Sequence, residues 1–184
     1  MRIIAGEARG RKLADLGRGD AAAQLRPTSD RVRESLFNML ASMDAIEGAV
    51  VLDLFAGTGA LGLEALSRGA ATARFVENGR VALGLLERNI DIVNAGARAE
   101  IMRRDARSLG PSAGAPANLV FLDPPYGKRL GEAALDAALA GGWIAPGAVI
   151  VWEESAPIVP PAGLMQRGKR RYGDTQITLL ERGG

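Results

Sequence analysis

The stretch Val50-Val51-Leu52-Asp53-Leu54-Phe55-Ala56-Gly57-Thr58-Gly59-Ala60-Leu61-Gly62-Leu63-Glu64-Ala65-Leu66 decides the fold of this 184-residue chain. Val50 to Leu54 is short, apolar and β-branched at its start, as a buried parallel strand would be. Gly57, Thr58 and Gly59 follow, and then a helical pattern places Leu61, Ala65 and Leu66 on one apolar face. Strand, glycine turn and helix in that order make a binding loop at the carboxyl edge of an α/β sheet. The glycines let the backbone pass close beneath a ligand, and the helix start offers unpaired N–H groups to an anion. Two ligands suit such a loop. Gly57, Gly59 and Gly62 satisfy the dinucleotide spacing G-x-G-x-x-G, which is weak evidence alone. Asp53 favours the other, because a strand-end carboxylate is unhelpful beside a pyrophosphate and useful beside a cation. S-adenosylmethionine carries a sulfonium and an amine, with a carboxylate suited to the helix N-terminus.

The composition removes whole classes of chemistry. Cysteine and histidine are both absent. That excludes a disulfide framework, a cysteine nucleophile, a zinc cluster of Cys or His and a histidine base, so no metal is expected. Catalysis has to run on carboxylates, hydroxyls, lysine, backbone groups and a cofactor. Hydrophobic residues at 47% and charged residues at 24% describe a soluble globular chain. Without a membrane-length apolar run or a signal-peptide core, a cytoplasmic protein with no membrane partner is expected.

Charge is unevenly spread. Residues 1–40 and 165–184 are each net +3, whereas residues 41–164 are net −4. Twenty of the 23 basic residues are arginine, which suits forked contacts to phosphate. A GC-rich genome accounts equally well for the arginine content, but less easily for its clustering at the two ends. The ends therefore form the candidate polyanion surface: Arg9, Arg11 and Lys12 near the start, Arg167, Lys169, Arg170 and Arg171 near the finish.

Along the chain, Arg2 to Ala5 and Arg11 to Leu13 read as two short strands of a hairpin-like arm, followed by a loop. Thr28 or Ser29 caps the next helix, Asp30 suits its dipole, and Val32, Leu36, Met39, Leu40 and Met43 form its buried side. Arg33 reads as part of a solvated face. Ala73 to Glu77 is a second strand ending in a carboxylate 20 residues past Gly57, where an acid reaches the ribose hydroxyls of an adenosine-containing ligand. Val81 to Val93 is helical. Glu100 to Arg104 is a third strand, closing at Asp105-Ala106, where a carboxylate could accept from an adenine amine or simply stabilise a turn. Leu119 to Leu122 is a fourth strand, Glu132 to Leu139 a helix and Val149 to Trp152 another strand. Leu164 to Arg171 and Gln176 to Glu181 form a closing antiparallel pair. Alternating strands and helices indicate a doubly wound parallel sheet.

The fourth strand runs into Asp123-Pro124-Pro125-Tyr126. Two prolines stiffen the backbone and remove two N–H donors, leaving carbonyl oxygens free to accept. Beside them Asp123 completes a cluster that only accepts hydrogen bonds, and Tyr126 offers a flat face. Such a set fits an exocyclic amine on a nucleobase, with Asp123 and the Pro124 carbonyl taking its two hydrogens and Tyr126 stacking on the ring. A proline-stiffened turn is the plainer reading of the same residues, and it weakens beside the glycine loop.

The Asp123 motif resembles that of amino-methyltransferases acting on nucleic acid. The whole chain resembles the RsmD family of bacterial 16S rRNA guanine-N2 methyltransferases. The resemblance runs in order through Ile3–Gly6, Arg9–Leu13, Arg26–Glu34, Leu36–Asn38, Leu52–Gly62, Phe75–Glu77, the Asp123 motif and Arg171–Thr175. It implies a Rossmann-like class I methyltransferase, with a seven-stranded, mostly parallel sheet, an antiparallel last strand and a small N-terminal β-hairpin. The implied division is an RNA-contacting arm over residues 1–25 and a methyltransferase domain over 26–184. Asp53, Gly57, Gly59, Glu77, Asp105 and Ala106 would hold S-adenosylmethionine, the product being S-adenosylhomocysteine, with Arg26 and Thr28 near its methionine end. Asp123, Pro124 and Tyr126 would hold the guanine. The partner would be 16S rRNA in a 30S subunit or assembly intermediate, met by a monomer. Asn118 departs from the family, where an acid is more usual. The competing expectations are an adenine-N6 methyltransferase, an NAD-dependent oxidoreductase and a non-catalytic RNA-binding module.

Overall fold

The computed structural model describes residues 1–15 and 29–184. Seven strands make one sheet: β1 (Val50–Leu54), β2 (Thr72–Glu77), β3 (Ala99–Arg103), β4 (Ala117–Leu122), β5 (Ile144–Glu154), β6 (Leu164–Tyr172) and β7 (Thr175–Arg182). Their order is β3-β2-β1-β4-β5-β7-β6. The first five are parallel, and β7 runs antiparallel to both of its neighbours. The strand order reverses between β1 and β4, so their carboxyl ends open a crevice there. Both Asp53 and Asp123 end up at that crevice.

Four helices cover the sheet: α1 (Asp30–Ser42), α2 (Ala60–Ser67), α3 (Arg80–Val93) and α4 (Leu130–Ala140). Alternation along the buried strands divides the core by face. Val51, Phe75, Leu119, Phe121 and Val151 face a layer containing Leu36, Phe37 and Leu40 of α1, Leu63 and Leu66 of α2 and Leu86 of α3. Leu52, Leu54, Val76, Val120, Ile150 and Trp152 face Ala134, Leu135 and Ala138 of α4. Each fully buried Leu, Ile or Phe contributes about 1.5–3 kcal/mol of the favourable term, which is why both faces are closed. Phe37 meets Phe121 with ring centroids 5.7 Å apart. Asn118, the departure from the family pattern, accepts the Val50 N–H at 2.8 Å and ties β4 to the start of β1.

The arm differs from two short strands. Its pairing is a single antiparallel bridge, Arg2 to Lys12. Ile3, Ala8 and Leu13 are buried in the same core as α1 and α2. Glu64 on α2 accepts the Ile4 and Ala5 N–H groups at 2.8 and 3.1 Å, and Ser67 accepts those of Glu7 and Ala8. Burial takes the place of a longer strand ladder. Helix α1 is capped by Ser29, whose Oγ accepts the Val32 N–H at 3.3 Å. Its buried side is Arg33, Leu36, Phe37 and Leu40, with Met43 39% exposed. Arg33 is therefore not on a solvated face. At positions 33, 36, 37 and 40 the helical period places it among the apolar residues.

Glycines here divide into those the packing requires and those it tolerates. A Cβ on Gly62 would lie 2.4 Å from Phe75 and 3.0 Å from the Asp53 carboxylate, whereas one on Gly84 meets nothing within 4 Å. Gly62→Ala is expected to lower stability by about 1–3 kcal/mol through overpacking, and Gly84→Ala to raise it by about 0.5–1 kcal/mol through helix propensity. Urea unfolding of the two variants beside wild type measures both shifts.

Candidate active site

One cavity of about 900 Å³ opens at the crevice and is lined by Asp53, Phe55, Gly57, Glu77, Asp105, Asp123, Pro124 and Tyr126 among others. Its floor is the turn leaving β1. Phe55 holds φ +60° and Gly57 φ +57°. A left-handed phenylalanine costs about 1–3 kcal/mol and persists only where its neighbours fix it. They do so here. The Ala56 N–H donates to the Val76 carbonyl at 3.0 Å, and the Gly59 N–H donates back to Ala56 at 2.8 Å. Gly59, at φ +79°, starts α2, and a Cβ there would lie 2.4 Å from Leu86. Gly59 thus shapes the loop from behind and is not a wall of the cavity.

Two carboxylates organise the loop. Asp53 is 2% exposed and accepts the Gly62 N–H at 2.9 Å. Burial pushes its carboxyl up to about 8, against the Gly62 hydrogen bond and with the help of Glu77. Glu77, at the end of β2, accepts the Gly57 N–H at 2.9 Å through one oxygen and the Asn78 and Gly79 N–H groups through the other. Both residues are therefore structural ligands of the loop as well as walls of the cavity.

Asp105 and Ala106 separate. Asp105 lines the cavity but is paired to Arg107, whose Nε lies 3.0 Å from one oxygen and 3.1 Å from the other. The Arg107 guanidinium and backbone N–H hold the Asp105 carboxyl below its ordinary range. Ala106 is buried in the core beneath, and its side chain packs with Met102 and Leu109. Arg26 and Thr28 lie outside the described residues.

Asp123, Pro124, Pro125 and Tyr126 form the opposite wall. Burial first, then Glu153, Asp53 and Glu154, push the Asp123 carboxyl well above its ordinary range. The Tyr126 hydroxyl donates to Glu153 Oε1 at 2.9 Å and lies 3.1 Å from Thr175 Oγ1. Burial is the main cause holding its phenol above the ordinary value. Glu153 and Thr175 were invisible as site residues in the sequence. Each follows an apolar or turn pattern, and only the β5–β7 pairing brings them to Tyr126.

Arg33 was also missed. Its Nη2 donates to the Arg2 carbonyl and to Asp30 at 2.9 Å, while Nε and Nη1 are buried without a partner. It lines the cavity, and burial lowers its affinity for a proton. The helical position beside Leu36, Phe37 and Leu40 was the available signal.

The candidate polyanion contacts are scattered. Arg9 and Lys12 are exposed on the arm, whose turn rests on the carboxyl end of α2. Arg11 donates to the Ile92 carbonyl at 2.6 Å. On β6, Arg167 pairs with Glu181 at 2.7 Å and Arg171 donates to the Gly173 carbonyl at 3.0 Å. Lys169 and Arg170 are exposed on the same strand.

Two carboxyls held above their ordinary range, Asp53 and Asp123, end adjacent strands and line the same cavity. Such walls disfavour a pyrophosphate and favour a bound cation. Among the described residues no cluster fits a metal ion, and no helix is long and apolar enough to cross a membrane. Fold and site together define a methyltransferase of the Rossmann type. The chain belongs to the family described as Conserved hypothetical protein 95, the RsmD family, whose model matches residues 1–181. Ribosomal RNA small subunit methyltransferase D of Escherichia coli K12 is 42% identical over 173 residues, 92% of this chain and 84% of that protein. The Haemophilus influenzae protein of that name is 37% identical over 166 residues, 88% and 83% of the two chains. The solved structure of Escherichia coli yhhF aligns with 100% of this chain and 98% of its own at a TM-score of 0.86 and 40% identity.

The raised Asp53 carboxyl has a stability consequence. A group whose folded value lies near 8 while its unfolded value is 3.8 binds more protons folded than unfolded between those values. Its contribution therefore falls as pH rises from about 4 to about 8. Asp53→Asn removes the charge and keeps an acceptor for Gly62. Its ligand-free form should melt above wild type at pH 8, the gap narrowing towards pH 5, as read by thermal unfolding at each pH.

Proposed function

We propose that this protein transfers a methyl group from S-adenosylmethionine to the exocyclic N2 amine of a guanine in 16S rRNA, within a 30S subunit or an assembly intermediate, acting as a cytoplasmic monomer. The observation that carries the reading is the placement of the glycine loop with Asp53 and Glu77 across one cavity from Asp123, Pro124 and Tyr126. The names of the relatives from Escherichia coli and Haemophilus influenzae supply the rRNA of the small subunit as substrate. Guanine N2 rests on the resemblance, because the site chemistry specifies an amine and not a ring.

The donor set fits the cofactor. Among the described residues Asp53 has no ion-pair partner, and a sulfonium or ammonium would supply a countercharge; Glu77, at the end of the neighbouring strand, is placed for ribose hydroxyls. Gly57 leaves room for the ligand above the loop, while Gly59 and Ala106 shape the wall from behind, and Asp105 with Arg107 closes the adenine side. Arg26 and Thr28 are assigned to the methionine end. When bound, the cofactor supplies an electrophilic methyl carbon on sulfur.

The chain's residues orient the acceptor. Asp123 and the Pro124 carbonyl take the two amine hydrogens, which draws the nitrogen towards a tetrahedral shape and aims its lone pair at the methyl carbon. Asp123 would take the amine proton released as the nitrogen bonds the methyl carbon, the electron pair of the S–C bond remaining on the departing sulfur. A carboxyl held above its ordinary range is suited to that proton. Tyr126, fixed by Glu153 and Thr175, stacks on the base, which has to leave its helix to reach this depth. Positioning and electrostatics carry the rate.

The test is transfer of labelled methyl to 30S particles lacking native methylation, followed by nucleoside analysis. N2-methylguanosine is expected. N6-methyladenosine would keep the site and overturn the base, and no transfer to particles or free 16S rRNA would overturn the substrate. Asp123→Ala should lose about 100-fold or more in kcat, the scale of one acid–base group, while calorimetry shows cofactor affinity within a few-fold of wild type.

A further inference from the structure

A second concavity flanks α1 on the side away from the cofactor cavity. It is an open groove of about 490 Å³ between α1 and the edge strand β6, lined by Arg31, Glu34, Ser35, Asn38, Ser42 and Arg170, with Met39 at its base. Its lining is hydroxyls, an amide and two guanidinium groups against one carboxylate. Arg31 and Arg170 are both exposed, and neither has an ionic partner among the described residues.

The groove is joined to the catalytic wall by two side-chain contacts and one strand pair. Ser35 Oγ lies 2.7 Å from the Tyr172 hydroxyl, which fixes α1 to the end of β6. Tyr172 pairs with Thr175 across the hairpin turn, and Thr175 holds the Tyr126 hydroxyl. From Arg31 to Ser42 the helix spans about 17 Å at its normal rise. At about 3.4 Å per nucleotide in a stacked strand, that accommodates roughly five nucleotides.

The arm offers a poorer path. Its turn is seated on Ser67 at the carboxyl end of α2, and in a strand–helix–strand unit that end lies at the sheet edge opposite the crevice. Arg11 is already committed to Ile92. The α1–β6 groove is linked through Tyr172 and Thr175 to the Tyr126 hydroxyl beside Asp123.

The geometry points to this groove as the seat of the RNA backbone beside the target base, with Arg31 and Arg170 on phosphates and Ser35, Asn38 and Ser42 on phosphate or ribose oxygens. The assignment rests on the rRNA reading proposed above. It makes phosphate contact a property of the helix that also walls the cofactor cavity through Arg33. Backbone grip and cofactor cavity then share one rigid element.

The experiment compares wild type, Arg31→Ala/Arg170→Ala, Arg9→Ala/Lys12→Ala and the exposed-cation control Arg88→Ala in methylation of 30S particles across a salt series. All five substituted residues are on the surface, so melting temperatures serve to confirm folding. The groove pair is expected to raise KM about 10-fold or more with kcat within two-fold and cofactor affinity unchanged. Its log KM against log salt slope should fall by about 1.4–1.8, the change for two fewer phosphates neutralised. Arg88→Ala is expected to behave as wild type. An unchanged KM and slope in the groove pair, with wild type active, overturns the groove alone, as does a loss confined to the Arg9/Lys12 pair. A wild type that neither binds nor methylates rRNA overturns the function and the groove together.

Discussion

A carboxylate kept out of water at the end of the central strand is the constraint on which the rest of this structure depends. Among the described residues Asp53 has one protein donor, the Gly62 N–H, and that contact requires a residue without a side chain at position 62 because Phe75 fills the space. The same hydrogen bond fixes the start of α2 against the end of β1. Glu77 repeats the arrangement one strand away by holding the Gly57 N–H. The loop is thus clamped at both glycine ends by acids that also face the cavity. An isolated buried charge is costly, so a buried acid such as Asp53 binds its proton more tightly than it does in water. The cation of the proposed cofactor would relieve that penalty.

Much of this was legible in the sequence because the central α/β unit is locally encoded. The strand at Val50, the glycine turn and the helices starting near residues 60 and 80 all fall where apolar period and glycine placement put them. The acids at strand ends were legible for the same reason, since the carboxyl ends of parallel strands converge at one edge. Other features depended on long-range pairing. Glu153 looks like an ordinary strand terminus until β7 lies beside β5, and Thr175 looks like a turn residue. The pairing brings both to the Tyr126 hydroxyl. Asp105 lines the cavity, and the neighbouring Arg107 supplies a partner that a role-based reading of the acid leaves out.

Arg33 and the arm show how residue type misleads when packing decides. An arginine in an arginine-rich helix reads as solvated, yet its position in the helical period is that of a core residue. It is buried with a backbone carbonyl of the arm and a carboxylate of its own helix as partners. The arm likewise reads as an appendage from its charges. Its apolar residues Ile3, Ala8 and Leu13 instead bind it into the main core, and Glu64 satisfies two of its N–H groups. The arm and the rest of the chain thus share one apolar core on the described side of residue 25. Charge marks what a surface can attract, and apolar residues mark what it is attached to.

The distribution of charge then acquires a mechanical sense. The acids sit at the crevice, where Asp53, Glu153 and Glu154 add to the proton affinity of Asp123, while Lys169, Arg170 and Arg31 stand exposed outside it. A nucleic acid presents the reverse polarity, with anionic backbone outside and an amine-bearing base within. Such a partner gains nothing by sliding its backbone into the cavity, because phosphate would meet buried carboxylates. It gains by leaving the backbone at the basic rim and sending one base inward. The proposed base flipping therefore needs no separate device to prevent the backbone from following. The boundary between acidic cavity and basic rim falls at Tyr126, Thr175, Tyr172 and Ser35, which are neutral, hydrogen-bonded groups.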